Sequence, residues 1–328
     1  MNPSPDRIGV VLLQLGGPDR LESVEGFLFN LFSDPDIIDL PMAFLVRRPL
    51  ARFIARRRSV KVQEYYKRIG GKSPILKLTR RQAAALERAL APRLDVRVFI
   101  AMRYWHPLTE EVVAVLEREQ IRRVVLLPLY PHYSKTTTGS SMNEWTRVTR
   151  RIAPGLPPPV LVHDYPDHPD YIRAIIQQIT IALKRVPRED RTRVHLVFSA
   201  HGTPVKLVRA GDPYKAHIER TYEAVVHAGG FGLPHTLCFQ SKVGPERWLE
   251  PSLDQTLERL AGEGVTHMIV IPIAFVSDHS ETLWEINLEA RHRAHALGIR
   301  HFDMSPALHT NPSFIRALAD LVERAVAP

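Results

Sequence analysis

The sequence predicts an α/β protein with two similar Rossmann-like domains, each a parallel sheet flanked by helices. Short runs rich in Val, Ile and Leu alternate with helical patterns, as in βαβ units. The second half also repeats the first, because Leu-Gly-Gly-Pro at residues 15–18 and His-Gly-Thr-Pro at residues 201–204 each follow a predicted strand. The proline-rich residues 154–159 mark a boundary. We expect domains at residues 1–156 and 157–328, the active cleft between them, and the last helix packing back on the first domain.

Strands and helices alternate through the first half. We predict strands at residues 8–15, 97–102 and 124–129 and helices at residues 21–31, 79–91 and 108–119. Residues 34–71 exceed what the repeat requires, so we interpret them as a lid inserted over the cleft. Phe44, Leu50 and Phe53 alternate there with arginines at helical spacing, and such a face can lie on a membrane surface.

The strand predicted at residues 194–198 leads into a candidate catalytic residue, His201. In open α/β sheets, ligands bind at the carboxyl ends of the strands. A histidine there can present a ring nitrogen to the cleft and change charge near neutral pH. The alternative is a histidine that only forms hydrogen bonds within its own loop.

A row of three glutamates follows the strand predicted at residues 268–274. Glu281, Glu285 and Glu289 are spaced four apart, which places them on one helix face. Carboxylates with a nearby histidine suit a divalent first-row metal. Two simpler interpretations remain: Glu281 caps a helix that starts at Asp278, and the other two glutamates pair with Arg291 and Arg293 or are solvated.

Composition and charge restrict the class of protein. The 328 residues are 45% hydrophobic and 24% charged, as in a folded globular chain, with a formal net charge of +9. The charge favours an anionic membrane surface as a partner, and no helix-turn-helix, zinc finger or RNA-recognition signature supports nucleic acid. Residues 1–7 lack an apolar signal core, and no apolar run approaches a membrane span. We expect a cytoplasmic protein, attached peripherally to the inner face of the membrane.

Seven motifs occur in order along nearly the whole chain. They are Leu13-Gln-Leu-Gly-Gly-Pro-Asp19, Tyr66-Lys-Arg-Ile-Gly-Gly-Lys-Ser-Pro74, Met102-Arg-Tyr-Trp-His-Pro107, Pro128-Leu-Tyr-Pro-His-Tyr-Ser-Lys-Thr-Thr-Thr-Gly-Ser140, Ser199-Ala-His-Gly-Thr-Pro204, Gln240-Ser-Lys-Val-Gly-Pro-Glu-Arg-Trp-Leu-Glu-Pro251 and Phe275-Val-Ser-Asp-His-Ser-Glu-Thr-Leu283. Together they resemble the motifs of the ferrochelatases, which insert Fe²⁺ into a porphyrin to make haem. The resemblance implies chelatase-type domains.

The resemblance also implies roles for individual residues. His201 and Glu281 match the catalytic pair, and with Glu285 and Glu289 they match the groups proposed to handle metal or protons. The residues that match positions around the macrocycle are Gln14, Arg103, Tyr104, Tyr130, Ser134, Thr136, Trp248, Phe275, Asp278 and His279.

The implied reaction is insertion of Fe²⁺ into protoporphyrin IX with release of two protons, the last step of haem biosynthesis. Porphyrin and Fe²⁺ are then substrates, and no cofactor is bound permanently. With Cys238 as the single cysteine, we expect no iron–sulfur cluster. The alternatives are a coproporphyrin ferrochelatase, a cobalt or nickel chelatase for another tetrapyrrole, and, outside the enzymes, a haem or porphyrin carrier.

Overall fold

Two parallel four-stranded sheets form the framework of the chain, of which the computed structural model describes residues 7–37, 43–242 and 246–327. The first sheet contains β1 (Ile8–Gln14), β2 (Val96–Met102), β3 (Arg123–Pro128) and β4 (Val160–Leu161), in the order β2-β1-β3-β4. The second contains β5 (Val194–His201), β6 (His235–Gln240), β7 (His267–Pro272) and β8 (His301–Met304), in the order β6-β5-β7-β8. β1 and β5 are buried on both faces, which is why their sequences are apolar rather than alternating.

The two sheets repeat one another residue by residue. Leu13 lies opposite Pro128 in the first sheet, and Ser199 lies opposite Pro272 in the second. The residue after each proline donates its backbone amide to the residue opposite that proline: Leu129 N donates to Leu13 O at 2.9 Å, and Ile273 N donates to Ser199 O at 3.0 Å. This register aligns residues 15–18 with residues 201–204, so the repeat and the two-sheet α/β fold predicted from the sequence are confirmed.

Helices flank the first sheet. They are α1 (Val24–Ser33), α2 (Ala43–Arg68), α3 (Ile75–Leu90), α4 (Thr109–Arg118) and α5 (Ser140–Ile152), and a π-helical turn, Lys135–Gly139, leads directly into α5. The apolar faces of α4 and α5 pack with β1 through Val113, Leu116 and Trp145. Apolar residues on one face of each helix explain this packing.

The segment interpreted as a lid consists mainly of the long helix α2. The structure does not describe residues 38–42 or the side chains of residues 43–45, so the predicted apolar Phe44 lies outside the described side chains. Ala55 and Tyr66 pack against α1, whereas Phe53 and Val60 are 58% and 68% exposed. The helix therefore has a buried face toward α1 and an outer face on which apolar and basic residues alternate.

The second sheet has its own helices: α6 (Pro169–Arg185), α7 (Val205–Arg209), α8 (Tyr214–Gly229), α9 (Leu253–Gly262) and α10 (Arg291–Ala296), followed in the chain by α11 (Pro312–Val326). A ten-residue π-helical segment, Glu281–Ala290, runs into α10. Leu257, Met268 and Ile286 lie in the core of this sheet. Cys238 is buried there too, and burial raises the pKa of its thiol to about 12.

The chain divides into two compact units, Met1–Asp164 with Ile315–Pro328, and Tyr165–Phe314. The first contains β1 to β4 and the second contains β5 to β8. Within the first unit, Glu323 of α11 forms an ion pair with Arg93 at 2.7 Å. No described helix is long and apolar enough to cross a membrane.

Candidate active site

His201 lies at the carboxyl end of β5, and a backbone contact at Nδ1 holds its ring. The Nδ1 atom is 2.5 Å from the carbonyl oxygen of Gly202, which can only accept, so Nδ1 carries the hydrogen. The hydroxyl of Tyr214 on α8 donates to the backbone oxygen of His201 at 3.0 Å. In the neutral ring, Nε2 is therefore the basic nitrogen.

Glu281 faces this basic nitrogen from the first turn of the π-helical segment. Its Oε2 atom lies 3.8 Å from Nε2 of His201 and 3.7 Å from Nε2 of His279. Burial alone raises the pKa of Glu281, but the two histidines outweigh it and hold that pKa well below its usual value. Oε2 accepts no hydrogen bond from any described residue. The carboxylate thus stays charged and is free to receive a donor.

His279 supports Glu281 from the opposite side. It is 6% exposed, and its ring lies 4.5 Å from the ring of Phe275, centroid to centroid. Burial lowers the pKa of His279, but Glu281 raises it, and the net effect is a rise. Two imidazoles therefore flank one carboxylate.

The second glutamate of the row turns inward and the third does not. Ser241 donates a hydrogen bond to Glu285, and burial together with the nearby Glu281 raises the pKa of Glu285 to about 7. Glu289 is exposed. The row thus leads from a charged carboxylate, through one that titrates near neutral pH, to solvent.

Capping by Glu281 and pairing with Arg291 and Arg293 do not match the observed contacts, whereas solvation does describe Glu289, which is exposed. Thr282, rather than Glu281, accepts the bond from the His279 amide, and Thr282 also donates to Asp278 at 3.0 Å. Arg291 pairs with Asp303, and Arg293 pairs with Asp254 and Glu258. Glu281 is not a helix cap, and the two arginines are engaged with other carboxylates.

Asp278 is held by a histidine that the sequence did not single out. Nε2 of His309 lies 2.9 Å from Oδ2 of Asp278. Burial raises the pKa of Asp278, but the bonds from His309 and Thr282 lower it, and the net effect is a fall. The aspartate therefore anchors the loop that precedes Glu281 as an anion.

Trp248 forms a wall beside His201. Its ring centroid is 6.2 Å from that of His201. Gly202 makes this approach feasible, because a Cβ atom there would lie 2.9 Å from the oxygen of Gln240 and 3.2 Å from the Trp248 ring. An aromatic wall beside a basic nitrogen suits a flat apolar ligand.

Two of the site residues predicted in the first half, Arg103 and Tyr104, lie in the first unit and contact Asp34. Asp34 is 2% exposed and accepts hydrogen bonds from Tyr104 at 2.6 Å and from Ser140, and it pairs with Arg103 at 3.0 Å. Tyr104 is itself buried, and burial, followed by Asp34, raises the pKa of its hydroxyl. The side chains of Arg103 and Tyr104 are thus committed to Asp34.

The other predicted residues of that unit are also largely turned inward. Gln14 is buried, and its side-chain oxygen accepts from the Leu15 amide at 3.0 Å. Ser134 is buried and lies 3.0 Å from the Thr136 hydroxyl. Burial raises the pKa of the Tyr130 hydroxyl. These contacts set the conformation of the loop after β3.

Among the described residues, no group of three or more His, Cys, Asp or Glu side chains is arranged to hold a metal ion. His201 and Glu281 supply one nitrogen and one oxygen donor, and their metal role stays a prediction. Sequence reasoning missed four supporting residues: Asp34, Ser241, Tyr214 and His309. Only Ser241 lies within a motif next to a predicted site, and Asp34 lies at the start of the segment interpreted as a lid.

Comparisons with known proteins identify the family that the chain resembles. A family model described as ferrochelatase matches residues 7–326. A ferrochelatase of Geotalea daltonii is 47% identical, covering 97% of this chain and 98% of the relative. A ferrochelatase of Synechocystis is 45% identical, covering 96% of this chain and 82% of the relative.

Solved structures share the fold at low sequence identity. SirB from Bacillus subtilis with Fe³⁺ aligns with a TM-score of 0.58 and 12% identity, covering 98% of this chain and 96% of that one. The sirohydrochlorin chelatase SirB in complex with cobalt, from subspecies spizizenii, aligns with a TM-score of 0.56 and 10% identity, covering 97% and 95%.

Proposed function

The chain belongs to the ferrochelatase family of metal chelatases, and we propose that it inserts Fe²⁺ into protoporphyrin IX, releasing two protons and forming protohaem in the last step of haem biosynthesis. The observation that carries the proposal is the approach of His201 Nε2 to Glu281 Oε2 at 3.8 Å. That pair places the unsubstituted nitrogen of an imidazole next to a carboxylate whose lowered pKa keeps it charged.

The first requirement of the reaction is removal of two pyrrole N–H protons. His201 accepts them at Nε2, because Nδ1 is already donating to Gly202. The charge of Glu281 stabilises the resulting imidazolium at close range, and His279 keeps Glu281 in place. Each proton then has to leave, so that the base is restored for the second one.

Glu285 and Glu289 provide a path by which the protons leave His201 for solvent. With a pKa of about 7, Glu285 binds and releases a proton near neutral pH. Glu289 is exposed and exchanges directly with water. The carboxylate oxygen atoms of these two residues also attract Fe²⁺, the other substrate. Fe²⁺ moves inward as the two protons move outward.

The porphyrin has to be held against this pair and bent, so that its nitrogen lone pairs become accessible. Trp248 and Phe275 supply aromatic surface beside His201 and His279, respectively. We assign the porphyrin to this aromatic surface. Arg103 and Tyr104 act within their own unit by fixing Asp34 and the chain around it.

Two enzyme alternatives and one carrier alternative remain testable. A coproporphyrin ferrochelatase differs only in the porphyrin side chains, and a cobalt or nickel chelatase differs in metal and macrocycle. A carrier needs the aromatic surface but has no use for a base facing a carboxylate. The pairing of His201 with Glu281 therefore favours catalysis over transport.

We also propose a cytoplasmic location with peripheral attachment to an anionic membrane. The outer face of α2 supports this, because Phe53 and Val60 are exposed among arginines. Apolar side chains enter the interface while the cationic ones meet lipid phosphates.

Anaerobic incubation with Fe²⁺ and either protoporphyrin IX or coproporphyrin III tests the function, with metallation followed by the absorbance of the porphyrin. We expect faster turnover of protoporphyrin IX. Faster turnover of coproporphyrin III would assign the other substrate. Binding of porphyrin without metallation, by any of Fe²⁺, Co²⁺ and Ni²⁺, would make the protein a carrier.

A further inference from the structure

We propose that a pocket in the first unit binds an oxyanion of the phosphate class. The cavity has a volume of about 470 Å³, and its described lining comes from α1, α2, α4, α5 and the loops that follow α1 and β2. It contains neither His201 nor Glu281, which lie in the other unit. Phosphate binding here can therefore be measured without reference to the His201–Glu281 pair.

The charged groups of the pocket are mostly paired with one another. Arg103 is engaged with Asp34 at 3.0 Å. Arg147 forms two bonds with Glu144, at 2.6 and 2.9 Å. The remaining acid of the lining, Glu110, pairs with Arg151 at 2.5 Å. All three carboxylates of the described lining are thus already neutralised.

Two arginines of α2 are left over. No described carboxylate pairs with Arg47 or Arg48, and both line the pocket. Nε of Arg47 and Oγ of Ser33 are buried without a hydrogen-bond partner among the described residues. A buried donor without a partner costs free energy, and a ligand oxygen would remove that cost.

The positive charge of these two arginines matches the negative charge of a phosphate. A phosphate monoester carries about −1.5 to −2 at neutral pH, and two free guanidinium groups supply the opposite charge. Guanidinium groups also bind phosphate oxygens in a bidentate manner. The ring of Phe29 lies 5.7 Å from the guanidinium carbon of Arg48, which restricts the orientation of that group. A single carboxylate would leave one of the two charges unmatched.

This phosphate has two potential sources. A free phosphate or phosphate ester can enter from solution. A lipid headgroup can enter from a membrane, because Val46, next to Arg47, is 50% exposed, and exposed Phe53 continues the same helix. The chemistry recognised by the pocket is the same in both cases.

The test uses the full chain and two matched double variants. Arg47→Gln with Arg48→Gln removes the two pocket charges. Arg80→Gln with Arg81→Gln removes two exposed charges from α3, away from the pocket lining and from the outer face of α2. Calorimetric titration with inorganic phosphate at constant ionic strength examines the free ligand, and co-sedimentation with phosphatidylglycerol vesicles examines the headgroup. Phosphatidylcholine vesicles and circular dichroism serve as controls for charge and folding.

We expect the pocket variant to lose at least about tenfold in affinity for one of the two probes, because it removes charge-assisted bonds, while the control variant stays within about twofold. A selective loss with inorganic phosphate identifies a soluble ligand, and a selective loss with vesicles alone identifies a headgroup. Absence of binding of both probes to the wild type, or equal losses in the two variants, would overturn the proposal. If the double variant fails to fold, Arg48→Gln alone removes one exposed charge. Its affinity for the two probes is then compared with that of the control variant.

Discussion

His201 and Glu281 lie with Nε2 and Oε2 3.8 Å apart, while Nδ1 of the same histidine donates to Gly202. The hydrogen bond to Gly202 leaves Nε2 as the basic nitrogen. The nearby Glu281 carboxylate stabilises the imidazole once Nε2 is protonated. Since one residue ends β5 and the other follows β7, which pair side by side, the parallel sheet itself creates this approach.

Removal of the base tests the central assignment. His201→Ala should lower the rate of metal insertion by about 10²- to 10⁴-fold, because proton removal loses its acceptor. Porphyrin binding, measured by fluorescence quenching, should remain because the aromatic surface is intact. The matched control is His227→Ala, an exposed histidine of α8 that should keep full activity. Turnover of His201→Ala within a factor of about three of wild type would contradict the role.

Stability should depend on pH through Glu285. Its pKa in the folded protein is raised from 4.5 to about 7, first by burial and then by Glu281. A raised pKa means that this group favours the folded state below about pH 4.5, and that this contribution is lost as the pH rises through 7. The charged form thus costs the fold on the order of 3 kcal/mol at pH 8.

Glu285→Gln should therefore raise the free energy of unfolding at pH 8 by up to about 3 kcal/mol and change it little at pH 4.5. Urea denaturation at the two pH values measures this. Glu289→Gln is the control, since that side chain is exposed and should give no such difference. An equal effect of Glu285→Gln at both pH values would show that its titration is not the cause.

The buried anion Asp34 should be a main determinant of stability in the first unit. It neutralises Arg103 and accepts from Tyr104, so Asp34→Asn leaves a nearly buried arginine with only the more distant Glu144, at 3.9 Å, as a counter-charge. We expect a loss of about 3–5 kcal/mol in the free energy of unfolding. Asp95→Asn removes only a surface pair with Arg7 and should cost less than about 1 kcal/mol. Similar losses for the two variants would reject the idea of a buried charge network.

Membrane attachment should depend on the outer face of α2. Phe53→Ser with Val60→Ser removes two exposed apolar side chains and should lower co-sedimentation with anionic liposomes at least fivefold, by about 1 kcal/mol per side chain. Ile181→Ser with Leu297→Ser removes two exposed apolar residues, one from α6 and one just after α10, so it is the matched control. Unchanged sedimentation of the α2 variant would exclude this face as the contact.

The repeat could be predicted from sequence because it depends on local patterns. A doubly buried parallel strand must be apolar on both faces, so β1 and β5 stand out from their surroundings. The short turns after them, Leu15 to Pro18 and His201 to Pro204, show which strands correspond. The row of Glu281, Glu285 and Glu289 was visible for the same reason, since helical spacing is a local property.

Other features could not be predicted, because they depend on residues far apart in the chain. Asp34 has hydrogen-bond partners 70 and 106 residues away, so its neighbours in the sequence did not reveal its role. Ser241 is 44 residues from Glu285, and His309 is 31 residues from Asp278. Arg103 and Tyr104 matched porphyrin contacts by sequence, yet their side chains bond to Asp34.

The sequence by itself determined the two parallel sheets, the identity of the candidate base and the glutamates that follow it, because apolar runs, turns and helical spacing are written in consecutive residues. Only the tertiary structure decided which nitrogen of His201 is basic, that Glu281 stays charged while Glu285 titrates near 7, and that Arg47 and Arg48 lack a described counter-charge. The reason is physical: protonation and charge balance depend on burial and on distances between groups that the chain brings together only when it folds.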